Sequence, residues 1–222
     1  RLRPKTLDQY VGQTHLVGPG CILRNMIESG NLSSFILWGP PGVGKTTLAG
    51  IIAGTLGREF YTLSAVSSGV KDVRDVIDKA RSNSLFSASA APVLFIDEIH
   101  RFNKAQQDAF LPHVESGLIT LIGATTENPS FEVISPLLSR SRVVVVKHLS
   151  KDDIKEVIRR AIKAEKAEKR IDDDAIDYLA ELSGGDARSV LGDLELALSL
   201  SEHIDVEAVK EAAGRKVPGY DK

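Results

Sequence analysis

Short apolar runs alternate with longer amphipathic stretches over the first two thirds of the chain, and the alternation stops near residue 150. The runs 35–38, 60–63, 93–96, 118–123 and 143–146 are too short for helices and rich in β-branched or aromatic residues, which predicts strands. Between them, 45–56, 70–81 and 103–116 read as helices. Such alternation predicts βαβ units and a parallel sheet covered by helices on both faces. Ahead of the first strand, Ile22, Leu23, Met26 and Ile27 recur at helical spacing, and Gly30 closes that short helix. An irregular N-terminal arm, 1–20, precedes it and ends on Gly18, Pro19 and Gly20. The serine- and alanine-rich stretch 82–91 is expected to be a flexible loop.

From Ser150 onward the pattern is helical. Ser150, followed by Asp152 and Asp153, reads as a helix cap with acidic residues in the first turn. Gly184 and Gly185 break the run between two further helices, and 205–213 gives a last short one. Asp172, Asp173 and Asp174 read as the charged N-terminus of the helix carrying Ile176, Leu179 and Ala180 rather than as a metal site. The expected division is an α/β domain over 1–149 and a small all-helical domain over 150–222.

Composition narrows the class of protein. The 222 residues are 42% hydrophobic and 26% charged, the balance of an ordinary globular protein. No apolar run approaches the length of a membrane span, and no signal-like segment opens the chain. Cys21 is the only cysteine, so no internal disulfide can form, and the cytosol or nucleoid is the expected location (the nucleus, in a eukaryote). The net charge of −2 hides an asymmetry: 1–150 carries 15 Lys and Arg against 12 Asp and Glu, 151–222 carries 13 against 18. Neither half has the basic excess of a dedicated DNA-binding domain, so any nucleic acid must be met by a local patch. The start at Arg1 and the end at Tyr220, Asp221 and Lys222 read as an excerpt of a longer protein.

The chemistry begins at Gly39, Pro40, Pro41, Gly42, Val43, Gly44, Lys45 and Thr46, which fit G-x-x-x-x-G-K-[ST] between a predicted strand and a predicted helix. The glycines let backbone N–H groups approach phosphates, and the helix that follows, with Thr47 in its first turn, adds its positive end. Lys45 is expected on the β- and γ-phosphates of ATP, with the Thr46 hydroxyl on Mg2+. The run 93–96 ends in Asp97 and Glu98. At a strand end about fifty residues after a phosphate loop, Asp97 can hold Mg2+ through water and Glu98 can deprotonate the attacking water. This pair points to hydrolysis rather than nucleotide binding alone. The run 121–126 ends in two threonines that could reach the γ-phosphate, and Arg140 and Arg142 stand just before the last strand. His100 and His113 lack the neighbours that would complete a metal site.

The order of GPPGVGKT, LFIDE, GATT, LLSR and GGDAR resembles the clamp-loader clade of AAA+ ATPases, whose fold is a P-loop parallel sheet followed by a helical lid. The stretches FIDEIHRFNKAQQDAFLPHVE (95–115) and IGATTENPSF (122–131) are more specific. Together with 3–13, 62–76 and the final YDK, they resemble the replication-associated recombination protein A (RarA/MgsA) family, whose eukaryotic relatives are Werner-helicase-interacting proteins. The resemblance spans essentially the whole chain. It implies a DNA-dependent ATPase in replication-fork maintenance, recombination and repair, holding MgATP between core and lid. It places Tyr10, Val11 and Gly12 over the adenine, Thr126 as sensor 1, Arg140 as an arginine finger acting on an adjacent subunit, and Arg188 as sensor 2. Ser64 takes the position of a polar switch for Glu98. Clamp-loader subunits have Cys where this chain has Ser141, a change that keeps the finger.

The resemblance also implies DNA as activating ligand, in single-stranded, gapped or forked form, and partners such as single-strand-binding protein. Lys71 and Arg74, at a helix start, and Lys104, near Gln106 and Gln107, are the candidate phosphate contacts. The family continues beyond YDK into a tetramer-forming region, so the parent is expected to be a homotetramer and the 222 residues alone a monomer. A clamp-loader subunit acting with a sliding clamp is the rival enzyme reading, disfavoured by the run 102–115. A nucleotide-gated DNA-binding scaffold with little hydrolysis is the rival outside catalysis, disfavoured for the parent, though not for the 222 residues alone, by the complete ATPase motifs.

Overall fold

A computed structural model describes residues 3–86 and 90–214. The terminal YDK and residues 87–89 of the expected loop lie outside the described residues. The chain divides into two compact units: Arg3–Pro40 with Gly44–Lys147, and residues from 148 onward with Pro41–Val43. The tip of the glycine-rich loop is thus grouped with the helical unit, which a linear reading does not anticipate.

In the first unit, strands β1 (Phe35–Trp38), β2 (Phe60–Ser64), β3 (Val93–Asp97), β4 (Thr120–Thr125) and β5 (Arg142–Val145) form one sheet in the order β2-β3-β4-β1-β5. Every pairing is parallel. All six residues of β4 and the first four of β3 are buried, as strands covered on both faces must be. The register sets Ser64 beside Asp97 and Trp38 beside Thr125, so the carboxyl ends of the inner strands share one edge. In open α/β sheets that edge is where ligands bind.

The helices of this unit are α1 (Thr14–Val17), α2 (Ile22–Ser29), α3 (Lys45–Thr55), α4 (Val70–Phe86), α5 (Lys104–Glu115), α6 (Pro129–Glu132) and α7 (Ser135–Ser139). Two boundaries depart from expectation. Helix α4 runs on to Phe86, so 82–86 is helix rather than loop. Serine and asparagine favour turns over helix interiors, but Asn83 is claimed by a distant partner: its amide donates to both Glu59 carboxylate oxygens at 3.0 and 2.8 Å. The Tyr61 hydroxyl also donates to Glu59, and that bond is the main reason the phenol titrates above its ordinary value. Strand β4 occupies 120–125 rather than 118–123. Gly117 turns at φ 75°, Ile119 N–H is taken by His113, and pairing begins only where Thr120 N–H meets Pro92 O at 2.9 Å.

The second unit contains α8 (Lys151–Ala164), α9 (Asp173–Leu182), α10 (Ala187–Leu200) and α11 (Val206–Gly214). Ser150 caps α8 in a reciprocal pair with Asp153, both bonds at 3.1 Å. Asp172 is the N-cap residue of α9 and accepts from His203 at 2.7 Å, while Asp173 and Asp174 fill the first turn. Ile154, Ile158, Leu179, Val190, Leu194 and Val209 form the apolar interior.

Candidate functional site

Backbone geometry builds the phosphate loop. Gly42 and Gly44 stand at φ 71° and 95°, conformations that cost a side-chain-bearing residue about 1 kcal/mol or more. Gly44 is also the N-cap of α3, so Lys45, Thr46 and Thr47 form the first turn, where helix amides point out of the N-terminus. The Lys45 ammonium lies across the loop, donating to Gly39 O at 2.6 Å and Pro40 O at 3.0 Å. A concave backbone, a helix N-terminus and a tethered cation form a cradle for phosphate, and the residues fit that group. Space is reserved as well as shape. A Cβ at Gly39 would come within 2.3 Å of Val146 O.

The arm closes on this loop from one side. Tyr10 packs on Gly44, where its hydroxyl donates to Gly44 O at 3.2 Å. Burial there pushes the phenol far above its ordinary value, so Tyr10 acts as a neutral donor. Val11 and Gly12 follow half-buried, and Gly12 turns at φ 83°. Gln13 fixes the arm by donating to Lys147 O at 2.7 Å and accepting from Lys147 N–H at 3.0 Å.

The next strand ends supply the remaining groups. Gly39 N–H donates to Thr125 O at 3.0 Å, which ties the loop's first residue to the end of β4; exposed Thr126 comes next. Thr125 itself is buried and meets His100 Nδ1 through its hydroxyl at 2.9 Å. Asp97 ends β3 half-exposed, and one of its oxygens accepts from Glu98 N–H at 3.0 Å. Glu98 stands at φ 52° and ψ 46°, a left-handed conformation uncommon for glutamate and concentrated at functional sites. Its carboxylate meets Arg101 Nε at 3.0 Å. Arg101 is thus an ion-pair partner of Glu98. Ser64 stands beside Asp97 in the sheet, and its backbone carbonyl accepts the N–H groups of Ser67 and Ser68.

Arg140 is exposed at the end of α7, and Arg142 is exposed at the start of β5. Lys71 and Arg74 are exposed on the first turns of α4, three residues apart and so on one face. Asp72 closes that helix start, accepting from Gly69 N–H at 2.7 Å. Lys104 is exposed, while the glutamines beside it both have partners within the protein. Gln106 completes a capping box with Asn103. Gln107, 2% exposed, donates to Phe102 O and Glu132 O and accepts from Ile134 N–H. In the helical unit, Ala187 N–H donates to Gly42 O at 2.8 Å, and Asp186 caps α10 through Ser189 N–H at 3.0 Å. Arg188 is the residue between. Sequence reasoning missed Arg101, the His100–Thr125 bond and Asp186. The His100–Thr125 signal lies in pairing across the fold, whereas Glu98 with Arg101 and Asp186 with Ser189 are i, i+3 pairs.

Residues 35–151 match the ATPase family associated with various cellular activities (AAA), and 164–222 match the AAA C-terminal domain. Replication-associated recombination protein A of Escherichia coli K12 is 47% identical over 233 residues, covering all of this chain and 52% of that protein. The Haemophilus influenzae protein of the same name is 46% identical with the same coverage. An ATPase of Dictyostelium discoideum, WRNIP1, is 46% identical over 91% of this chain and 23% of its own length. The chain thus spans about half the length of the bacterial relatives. Among solved structures, the RuvB Holliday junction branch migration motor of Thermotoga maritima is similar with a TM-score of 0.79 at 29% identity, over 96% of this chain and 72% of that one. No helix among the described residues is long and apolar enough to cross a membrane. With a phosphate loop, a carboxylate strand end and a threonine strand end on one sheet edge, and with these matches along its length, the chain belongs to the ATPase family associated with various cellular activities (AAA) and is similar throughout to replication-associated recombination protein A.

Proposed function

We propose that the chain is the catalytic part of a DNA-dependent ATPase that maintains replication forks and acts in recombination and repair. The observation that carries this reading is the gathering of the loop 39–46, Asp97 with Glu98, and Thr126 at the carboxyl edge of one parallel sheet. Lys45 and the first-turn amides of α3 hold the phosphates, and Tyr10, Val11 and Gly12 flank the base. Thr46 and Asp97 would hold Mg2+, whose charge, when bound, offsets that developing on the phosphates. Glu98 takes the proton of the attacking water, and Thr126 hydrogen-bonds the γ-phosphate side. Arg188 takes the role of sensor 2. Arg140, exposed at the end of α7, acts on the nucleotide of a neighbouring copy. The names of the relatives support DNA as the setting. The test is steady-state ATP hydrolysis by the full-length protein with single-stranded, gapped, blunt and forked DNA in parallel. Turnover indifferent to all four would remove DNA from the reading.

Two expectations follow from it. Changing Lys71 and Arg74 to Ala together should flatten the salt dependence of DNA binding by about one to two in log–log slope, because each lost phosphate contact removes roughly 0.9. A slope equal to wild type takes this face of α4 off the DNA surface. The 222 residues alone should sediment as a monomer and hydrolyse ATP slowly, since an arginine supplied in trans contributes roughly 10³–10⁵ in rate. Fast turnover independent of protein concentration would sink the role given to Arg140.

A further inference from the structure

We infer that Arg101 is a positioning residue for the hydrolytic step, setting the carboxylate of Glu98; this rests on reading Glu98 as the general base. The two residues sit on one turn. Glu98 leaves β3 in the left-handed region, the backbone closes through Arg101 N–H on Glu98 O at 2.9 Å, and the side chains meet at 3.0 Å between Nε and Oε2. The turn is anchored from below. Ile99 is fully buried, reaching so close to Gly123 of β4 that a Cβ there would lie 3.2 Å from it. His100 holds the same turn to Thr125, one residue before Thr126. Arg101 therefore departs from a fixed base, and its side chain points back at Glu98.

That arrangement does work that stability does not require. The pair is open to solvent, 57% exposed at arginine and 37% at glutamate, and such pairs contribute little to folding. A glutamate side chain, however, has three rotatable bonds and loses much freedom when confined. An ion pair through Oε2 selects one orientation and leaves Oε1 to accept a proton. The closest approach of the guanidinium to the carboxylate is at Nε.

The test uses the full-length protein at saturating MgATP, with turnover and thermal unfolding measured for each variant. Arg101→Ala should lower kcat about three- to tenfold, with KM for ATP within twofold and the unfolding midpoint unchanged. Arg101→Lys, which keeps a cation within reach, should recover at least half of the loss. In single-turnover reactions, adding Arg101→Ala to Glu98→Gln should slow hydrolysis no further. Unchanged or raised kcat in Arg101→Ala, a proportional rise in KM, or an equal loss in both backgrounds each overturns the inference. Wild-type turnover in Glu98→Gln would remove the base assignment itself. An inactive Glu98→Gln beside an unaffected Arg101→Ala would remove the role of Arg101 alone.

Discussion

Glu98→Gln is expected to bind ATP as the wild type does and to lose turnover by about 10²–10⁴-fold, a barrier change of roughly 3–5 kcal/mol. The amide matches the carboxylate in size and keeps an oxygen for Arg101, so the turn after β3 has no reason to rearrange. It cannot take a proton from water at neutral pH. The side chain is 37% exposed and its ion pair is open to solvent, so folding should be nearly untouched. Nucleotide titration alongside single-turnover phosphate release separates the two effects. Turnover within a few-fold of wild type would mean that another group accepts the proton. A parallel loss of ATP affinity would mean that Glu98 supports the cradle rather than the chemistry.

The second large effect is spatial. Gly39→Ala places a methyl group 2.3 Å from Val146 O and 2.4 Å from Val146 Cγ2, far inside contact distance. The valine side chain could turn away, but the carbonyl cannot. Val146 N–H is bonded to Trp38 O at 2.9 Å, and Gly39 N–H to Thr125 O at 3.0 Å, so the backbone is pinned on both sides. The end of β5 or the start of the loop must shift. Overpacking of this kind costs about 2–3 kcal/mol, and for a protein of this size the melting temperature falls by roughly 5–10 °C. ATP affinity should fall with it, since the loop begins at the displaced residue. Gly54→Ala is the matched control. It lies in α3, and nothing stands within 4 Å of its added Cβ, so it should be neutral or stabilising by up to about 1 kcal/mol. Calorimetry of the two variants with nucleotide titration checks both. Wild-type melting and binding in Gly39→Ala would show that the loop start gives way freely.

What could be read in advance had local causes. The loop 39–46 was legible because only glycine suits the angles at Gly42 and Gly44, and because a strand and a helix must flank it. The end of β3 was legible because a buried run cannot continue into Asp97 and Glu98. Ser150 announced α8 through a cap that acts within three residues. The misjudged features depend on partners far along the chain. Asn83 stays helical because Glu59 takes its amide. Strand β4 begins late because Pro92 supplies the first carbonyl. Gln107 looks like a surface residue beside Lys104, yet three groups from two segments satisfy it in the interior. Arg101 was overlooked for a different reason: its partner is close in sequence, but a basic residue after a strand that ends in carboxylates has no distinctive pattern until the turn is seen.

Gln13 carries one more consequence. Its side chain offers Lys147 both a donor and an acceptor, the same pair of functions that a peptide group presents to its neighbour in a ladder. The arm thus extends the sheet beyond the last residue of β5 with an amide that belongs to no strand. Glutamate in its place would present only acceptors, setting one carboxylate oxygen against the Lys147 carbonyl, and a hydrophobic residue would present nothing. The seat of Tyr10 on the phosphate loop is therefore written in a two-point complementarity three residues away, on the far side of the arm's turn.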